Sequence, residues 1–102
     1  MAVLERMEKE AKALIEALDR GDHAAVAAAQ CRFSDVVATA WEQYRQGRIT
    51  VPVRGLPRVM YQWAVEELPR QVQDPARWPK VRRELMGFLR TVQLVVEPEE
   101  KR

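Results

Sequence analysis

Few side chains in this 102-residue chain can do covalent chemistry. The one histidine, His23, and the one cysteine, Cys31, are eight positions apart. On a helix that is about two turns, so the imidazole cannot reach the thiol and no nucleophile–base pair forms. His23 beside Asp22 reads as a surface or capping residue. Cys31 sits in a strip of small residues and reads as packed and inert. A carboxylate-bridged metal site in a bundle needs a Glu-x-x-His pair on each of two helices, which one histidine cannot supply. There is no Gly-rich phosphate loop, Gly-x-Ser-x-Gly turn or zinc-ligand spacing. The expectation is therefore a protein that is not an enzyme and holds neither metal nor cofactor.

Three other groups of residues stand out. Glu67 falls inside the apolar arc of Met60, Trp63 and Ala64 at helical spacing, which reads as a structural ion pair or a partly exposed edge position or, more sharply, as a buried carboxylate. Burial would raise its pKa unless Arg48, Arg54 or Arg70 pairs with it. It is also the only candidate for proton transfer or ligand recognition. Secondly, the stretch 44–90 interleaves arginine with aromatics and holds ten basic and four acidic residues, a local +6 against −4 elsewhere. Arginine for phosphate and an aromatic face for stacking are what single-stranded nucleic-acid sites combine. Arg48, Arg54, Arg58, Arg77 and Lys80 are the expected contacts, with Trp78 available for stacking. Thirdly, Arg83, Met86, Gly87, Arg90 and Leu94 share the side of the last helix that faces away from its core stripe. Apolar residues eight apart, with a glycine between them, suit self-association.

The elements that must position these groups are helical. Leu4, Met7, Ala11, Leu14, Ile15 and Leu18 recur at three- and four-residue steps and place a first helix over Ala2 to Arg20. Gly21 ends it and Asp22 caps the next, which makes the pair an antiparallel hairpin; Arg20-Gly21-Asp22 is read as this turn, not as an adhesion tripeptide. The second helix, His23 to Gln46, is about 36 Å long and stops before Gly47. Its core stripe is Val26, Ala29, Phe33, Val36, Val37, Ala40, Trp41 and Tyr44. Beside it run the small residues Ala24, Ala27, Cys31, Ser34 and Ala38, which predict a helix contacted on two sides and overpacked by leucine at 27 or 38.

Between Gly47 and Pro57 the helical period disappears. This connector reads either as a binding arm or as a crossover whose Ile49, Val51 and Val53 plug the core. A short third helix then starts at Pro57 and should end at Leu68, because Pro69 disfavours helix before it. It is apolar nearly all round. Gln71 to Trp78 is a connector with Asp74-Pro75. Pro79 opens a fourth helix that runs to about Val96 with Val81, Leu85, Phe88, Leu89, Val92, Val95 and Val96 on one face, before a charged tail over 97–102.

At 47% hydrophobic and 31% charged residues, the chain has the composition of one soluble globular domain spanning 1–102. One cysteine makes no intramolecular disulfide, no apolar run approaches the ~20 residues of a membrane span, and charge alternates with apolar residues from Glu5 onward, which does not read as a signal-peptide h-region. A cytoplasmic protein is expected. Asn is absent and Arg (13) outnumbers Lys (4), the profile of a GC-rich genome and compatible with a heat-loving source. These features predict an all-α, single-domain four-helix bundle. The leading functional expectation is a non-catalytic accessory or scaffold subunit, self-associating as a homodimer or binding another protein. Nucleic-acid binding through 44–90 is second, and a small-molecule or enzymatic site at Glu67 third.

Overall fold

The computed structural model describes residues 2–48 and 56–100, and the side chains of 3–48 and 58–91. The expected all-α class holds: every regular element among the described residues is helical. The first helix, α1 (Ala2–Arg20), buries its expected stripe together with Val3 and Ala17. It stops where Gly21 takes φ +69°, a left-handed conformation that a Cβ would strain. There the Gly21 N–H donates to the Leu18 carbonyl at 3.1 Å and the Asp22 N–H to Ala17 at 3.3 Å, the paired bonds of a Schellman closure. The Asp22 carboxylate accepts from the Ala25 N–H at 3.1 Å and so caps α2 (His23–Arg45). The same closure recurs at the far end of α2. Gly47 has φ +76°, its N–H donates to Tyr44 at 3.0 Å, and that of Arg48 donates to Gln43 at 2.9 Å.

The third helical run departs most from expectation. It comprises α3 (Leu56–Tyr61), a π-helical turn (Gln62–Glu67) and α4 (Leu68–Gln71), continuous through Pro69. A proline in the middle of an α-helix removes one N–H and clashes with the carbonyl four residues back. Here the turn before it is widened, so that the Leu68 N–H donates to the Trp63 carbonyl five residues back. Pro69 then falls at the start of a new α-segment, a position it tolerates. One carbonyl is left over. Leu68 is committed to Trp63 and Pro69 has no N–H, so Ala64 has no helical donor. The Ser34 hydroxyl on α2 donates to it at 2.6 Å, and Gln30 Nε2 donates to Ser34 Oγ at 2.8 Å. Gln30, a buried polar residue, is explained by this relay.

Asp74 accepts from the Ala76 N–H at 3.1 Å and starts a 3₁₀ turn (Pro75–Arg77). The turn leads into α5 (Trp78–Glu100), which begins one residue before Pro79 and continues past the expected Val96 and through Pro98. α1 packs along α2 and against α5, while α2 also meets α3, the π-turn and α4. At the centre lies Phe33, fully buried, with Trp63 and Phe88 meeting it edge-on at ring-centroid distances of 5.8 and 5.0 Å. Leu14, Leu68, Val81 and Leu85 complete the buried core around it.

The small-residue strip of α2 is a partial correction. Only Ser34 and Ala38, in its second half, are half-buried, while Ala24, Ala27 and Cys31 are exposed. The run from α3 to α4 approaches α2 through Ser34 and leaves the strip's first half open. Overpacking is accordingly not expected at Ala27, and Cys31 is a surface thiol. Ile49, Val51, Val53 and Arg54, the expected plug or arm, lie outside the described residues. No helix among those described is long and apolar enough to cross a membrane.

Candidate functional site

Glu67 is exposed, not buried. The π-turn accounts for the difference, because a turn closed over five residues brings Leu68 to the inward position that a four-residue count from Trp63 assigns to Glu67. Leu68 is fully buried there. Glu67 instead lies on the rim of two surface clefts. One, of about 550 Å³, is lined with Arg70, Gln71, Asp74 and Arg77. The other, about 380 Å³ between the third helical run and α5, is lined by Val59, Met60, Trp63, Glu84 and Phe88 among others. In the second cleft the Trp63 indole N–H donates to Glu84 Oε1 at 3.1 Å. In the first, Gln71 is buried and its Oε1 has no hydrogen-bond partner among the described residues.

His23 and Cys31 are both exposed. The His23 ring packs against Trp78 at a centroid distance of 4.8 Å. Trp78 is also tied by its indole N–H to the Val72 carbonyl at 2.8 Å, and it is half-buried. The ring expected to be free for stacking is thus a clip between the start of α5, the end of α4 and the start of α2. Among the described residues no group of three His, Cys, Asp or Glu is placed to hold a metal ion.

The basic residues expected to form one nucleic-acid surface are separated. Arg77 and Lys80 flank Trp78 and therefore sit with His23 at the N-terminal end of α2. Arg48 follows the opposite end of that helix, roughly 30 Å away along its axis at 1.5 Å per residue. Arg58 lies on α3 one turn before Tyr61, which stacks against Trp41 near the same end as Arg48. Arg48, Arg58, Arg77 and Lys80 are all exposed, and Arg77 pairs within its own turn with Asp74 at 3.6 Å. Arg54 lies outside the described residues.

What the structure does bring together at that end is a set of aromatic rings. Trp41 stacks on Tyr44 at 6.0 Å with 23° between planes and on Tyr61 at 5.6 Å with 28°. All three are half-buried. Spacing along α2 pairs Trp41 with Tyr44, but Tyr61 joins them only because α3 folds back beside α2.

On α5, Arg83, Met86, Gly87 and Arg90 are exposed, and a Cβ built on Gly87 would meet nothing within 4 Å. The Leu94 side chain lies outside the described ones. Arg83 and Arg90 form no ion pair among the described residues, whereas their neighbour Arg82 makes two hydrogen bonds to Asp19, at 2.7 and 3.3 Å. That pair clips α1 to α5. The Arg82 hydrogen bond holds the Asp19 carboxyl below the usual carboxylate range, and Asp19 in return holds the Arg82 guanidinium above its ordinary pKa.

Comparison with known proteins adds no assignment. The chain matches no family model, no curated protein and no solved structure. The reading of function rests on the surfaces just described.

Proposed function

We propose that the protein is a non-catalytic helical interaction protein, a four-helix bundle with an N-terminal antiparallel hairpin. It acts in the cytoplasm as a small accessory or scaffold subunit and self-associates through the outer face of α5. The observation that carries this reading is the open ground around Gly87. Met86 remains 37% exposed, and beside it Gly87 leaves room for another helix to approach closely. Glycine inside a helix costs about 0.5–1 kcal/mol relative to alanine. No contact within the described residues accounts for it here, since nothing lies near its absent Cβ.

The charge on this face gives the association a signature. Arg83 and Arg90 of two copies would approach one another without acidic partners, so screening by salt should tighten the dimer. Sedimentation velocity over a concentration series, at low and high salt, tests this. Met86→Lys, which adds no acidic partner for Arg83 or Arg90, should weaken the dimer at least ~30-fold, the equivalent of losing about 2 kcal/mol from a buried anchor. Gly87→Ala should stabilise the monomer by about 0.5–1 kcal/mol while loosening the dimer. A wild type that stays monomeric at high micromolar concentration in both salts refutes the proposal. A dimer indifferent to Met86→Lys moves the interface off α5.

A further inference from the structure

The protein's two aromatic groups differ in construction. Phe33 meets Trp63 and Phe88 edge to face in the core, Trp63 and Phe88 lie tilted at 35° to each other, and the Trp63 indole N–H is donated to Glu84. Trp41, Tyr44 and Tyr61 instead lie nearly parallel and half-exposed, and neither the Trp41 indole N–H nor either tyrosine hydroxyl is hydrogen-bonded within the described residues. Near-parallel rings at a surface present flat faces of the kind on which a further planar group can stack.

The cations around these rings are placed to match. Arg45 is one turn on from Trp41, Arg48 follows Tyr44 across the Gly47 closure, and Arg58 is one turn before Tyr61. Among the described residues Arg45 is held only by Glu42 at 3.5 Å, with both side chains more than half exposed, so a polyanion can compete for it. Neither Arg48 nor Arg58 forms an ion pair among the described residues. Flat rings bordered by unpaired guanidinium groups satisfy a chain that alternates planar bases with phosphates. A double helix, whose bases are already stacked and enclosed, offers the phosphates alone.

We propose that Trp41, Tyr44 and Tyr61, with Arg45, Arg48 and Arg58, form a binding site for single-stranded nucleic acid in which exposed bases stack on the ring ladder. The site is built on α2 and α3, so it stands or falls independently of self-association through α5. It also leaves Trp78, Arg77 and Lys80 at the other end of α2 out of the contact.

The test is fluorescence anisotropy with labelled 20-mers of oligo(dT), oligo(U), an abasic deoxyribose-phosphate strand and a duplex of equal length, titrated with the full chain. Oligo(dT) and oligo(U) should bind in low salt, and the abasic strand and duplex at least about tenfold more weakly, since each stacked base contributes about that factor or more. The pair of arms also decides between DNA and RNA. Affinity should fall linearly in log salt with a slope near −0.7 per phosphate neutralised. Tyr44→Ala with Tyr61→Ala should raise Kd at least about tenfold while sedimentation of the free protein is unchanged. Arg48→Glu with Arg58→Glu, two exposed positions, should do the same and flatten the salt slope. No binding of either single strand in low salt overturns the proposal, as do equal affinity for the abasic strand or an unaltered Kd in the double tyrosine variant. The abasic comparison uses the unmodified protein, so the proposal remains falsifiable even if a variant does not fold.

Discussion

Ser34→Ala isolates the relay that carries the third helical run across Pro69. The substitution removes a donor to the Ala64 carbonyl at 2.6 Å and an acceptor for Gln30 Nε2 at 2.8 Å, and barely changes volume. Leaving a buried polar group unpaired costs about 1–3 kcal/mol, and because Ser34 is half-buried the lower half of that range applies, about 1.5 kcal/mol. For a domain of this size each kcal/mol moves the melting midpoint by about 4–8 °C, so a fall of about 6–12 °C is expected. The mechanism makes a stronger demand. In a Pro69→Ala background residue 69 regains an N–H that can reach the Ala64 carbonyl, and only the acceptor for Gln30 Nε2 is still lost with the serine. Denaturant melts of the four proteins in a double-mutant cycle should give Ser34→Ala about half its cost in that background, a coupling of about 0.7 kcal/mol. An unchanged midpoint in the single variant, or the same cost in both backgrounds, would refute the argument that Pro69 creates the orphan which Ser34 satisfies.

Three further outcomes follow from burial and charge. Phe33→Ala should destabilise the fold by about 3–5 kcal/mol in denaturant melts, because the ring is fully buried between Trp63 and Phe88. Ala27→Leu should leave stability within about 0.5 kcal/mol, since Ala27 is exposed; a loss above 1 kcal/mol would mean that something covers the strip. Asp19 has a folded pKa below its unfolded one, so its pairing with Arg82 contributes fully above the ordinary carboxylate range and is lost as pH falls through the folded value. The melting gap between wild type and Asp19→Asn should therefore be present near neutral pH and close in acid, and a gap that widened in acid would contradict the pairing.

The ends at the turn between α1 and α2 and at the close of α2 are legible in the sequence because their chemistry is local. Gly21, Asp22 and Gly47 each act on atoms within five residues, and the α1 stripe follows from spacing alone. What was misread depended on partners remote in the chain. Pro69 reads as a stop unless Ser34, more than thirty residues earlier, is known to serve the carbonyl that the helix abandons. The same widened turn moved Glu67 outward, an offset that a four-residue count from Trp63 cannot register. Cys31 looked buried because small residues permit close approach, but permission does not say where the third run will lie. Trp78 looked free because the Val72 carbonyl that binds it becomes a neighbour only through the Asp74 turn. The stacked rings could not be read from the sequence, where Trp41 and Tyr44 belong to the core stripe of α2 and Tyr61 is brought beside them only by the fold.

The widened turn also bears on how such a sequence can change. A π-helical turn is equivalent to one residue inserted into an α-helix, and deleting any one residue between 62 and 67 would restore ordinary spacing. The deletion would keep Leu68 inward, four residues from Trp63, but it would leave Pro69 in the interior of a regular α-helix, where its ring clashes with the carbonyl four residues back. Reversal thus needs the deletion and a replacement of Pro69 together. The extra residue behaves as a ratchet: once a hydroxyl on the neighbouring helix has accommodated it, loss of the residue alone leads to a worse fold, and descendants that keep the proline should keep the length of this segment even where its side chains drift.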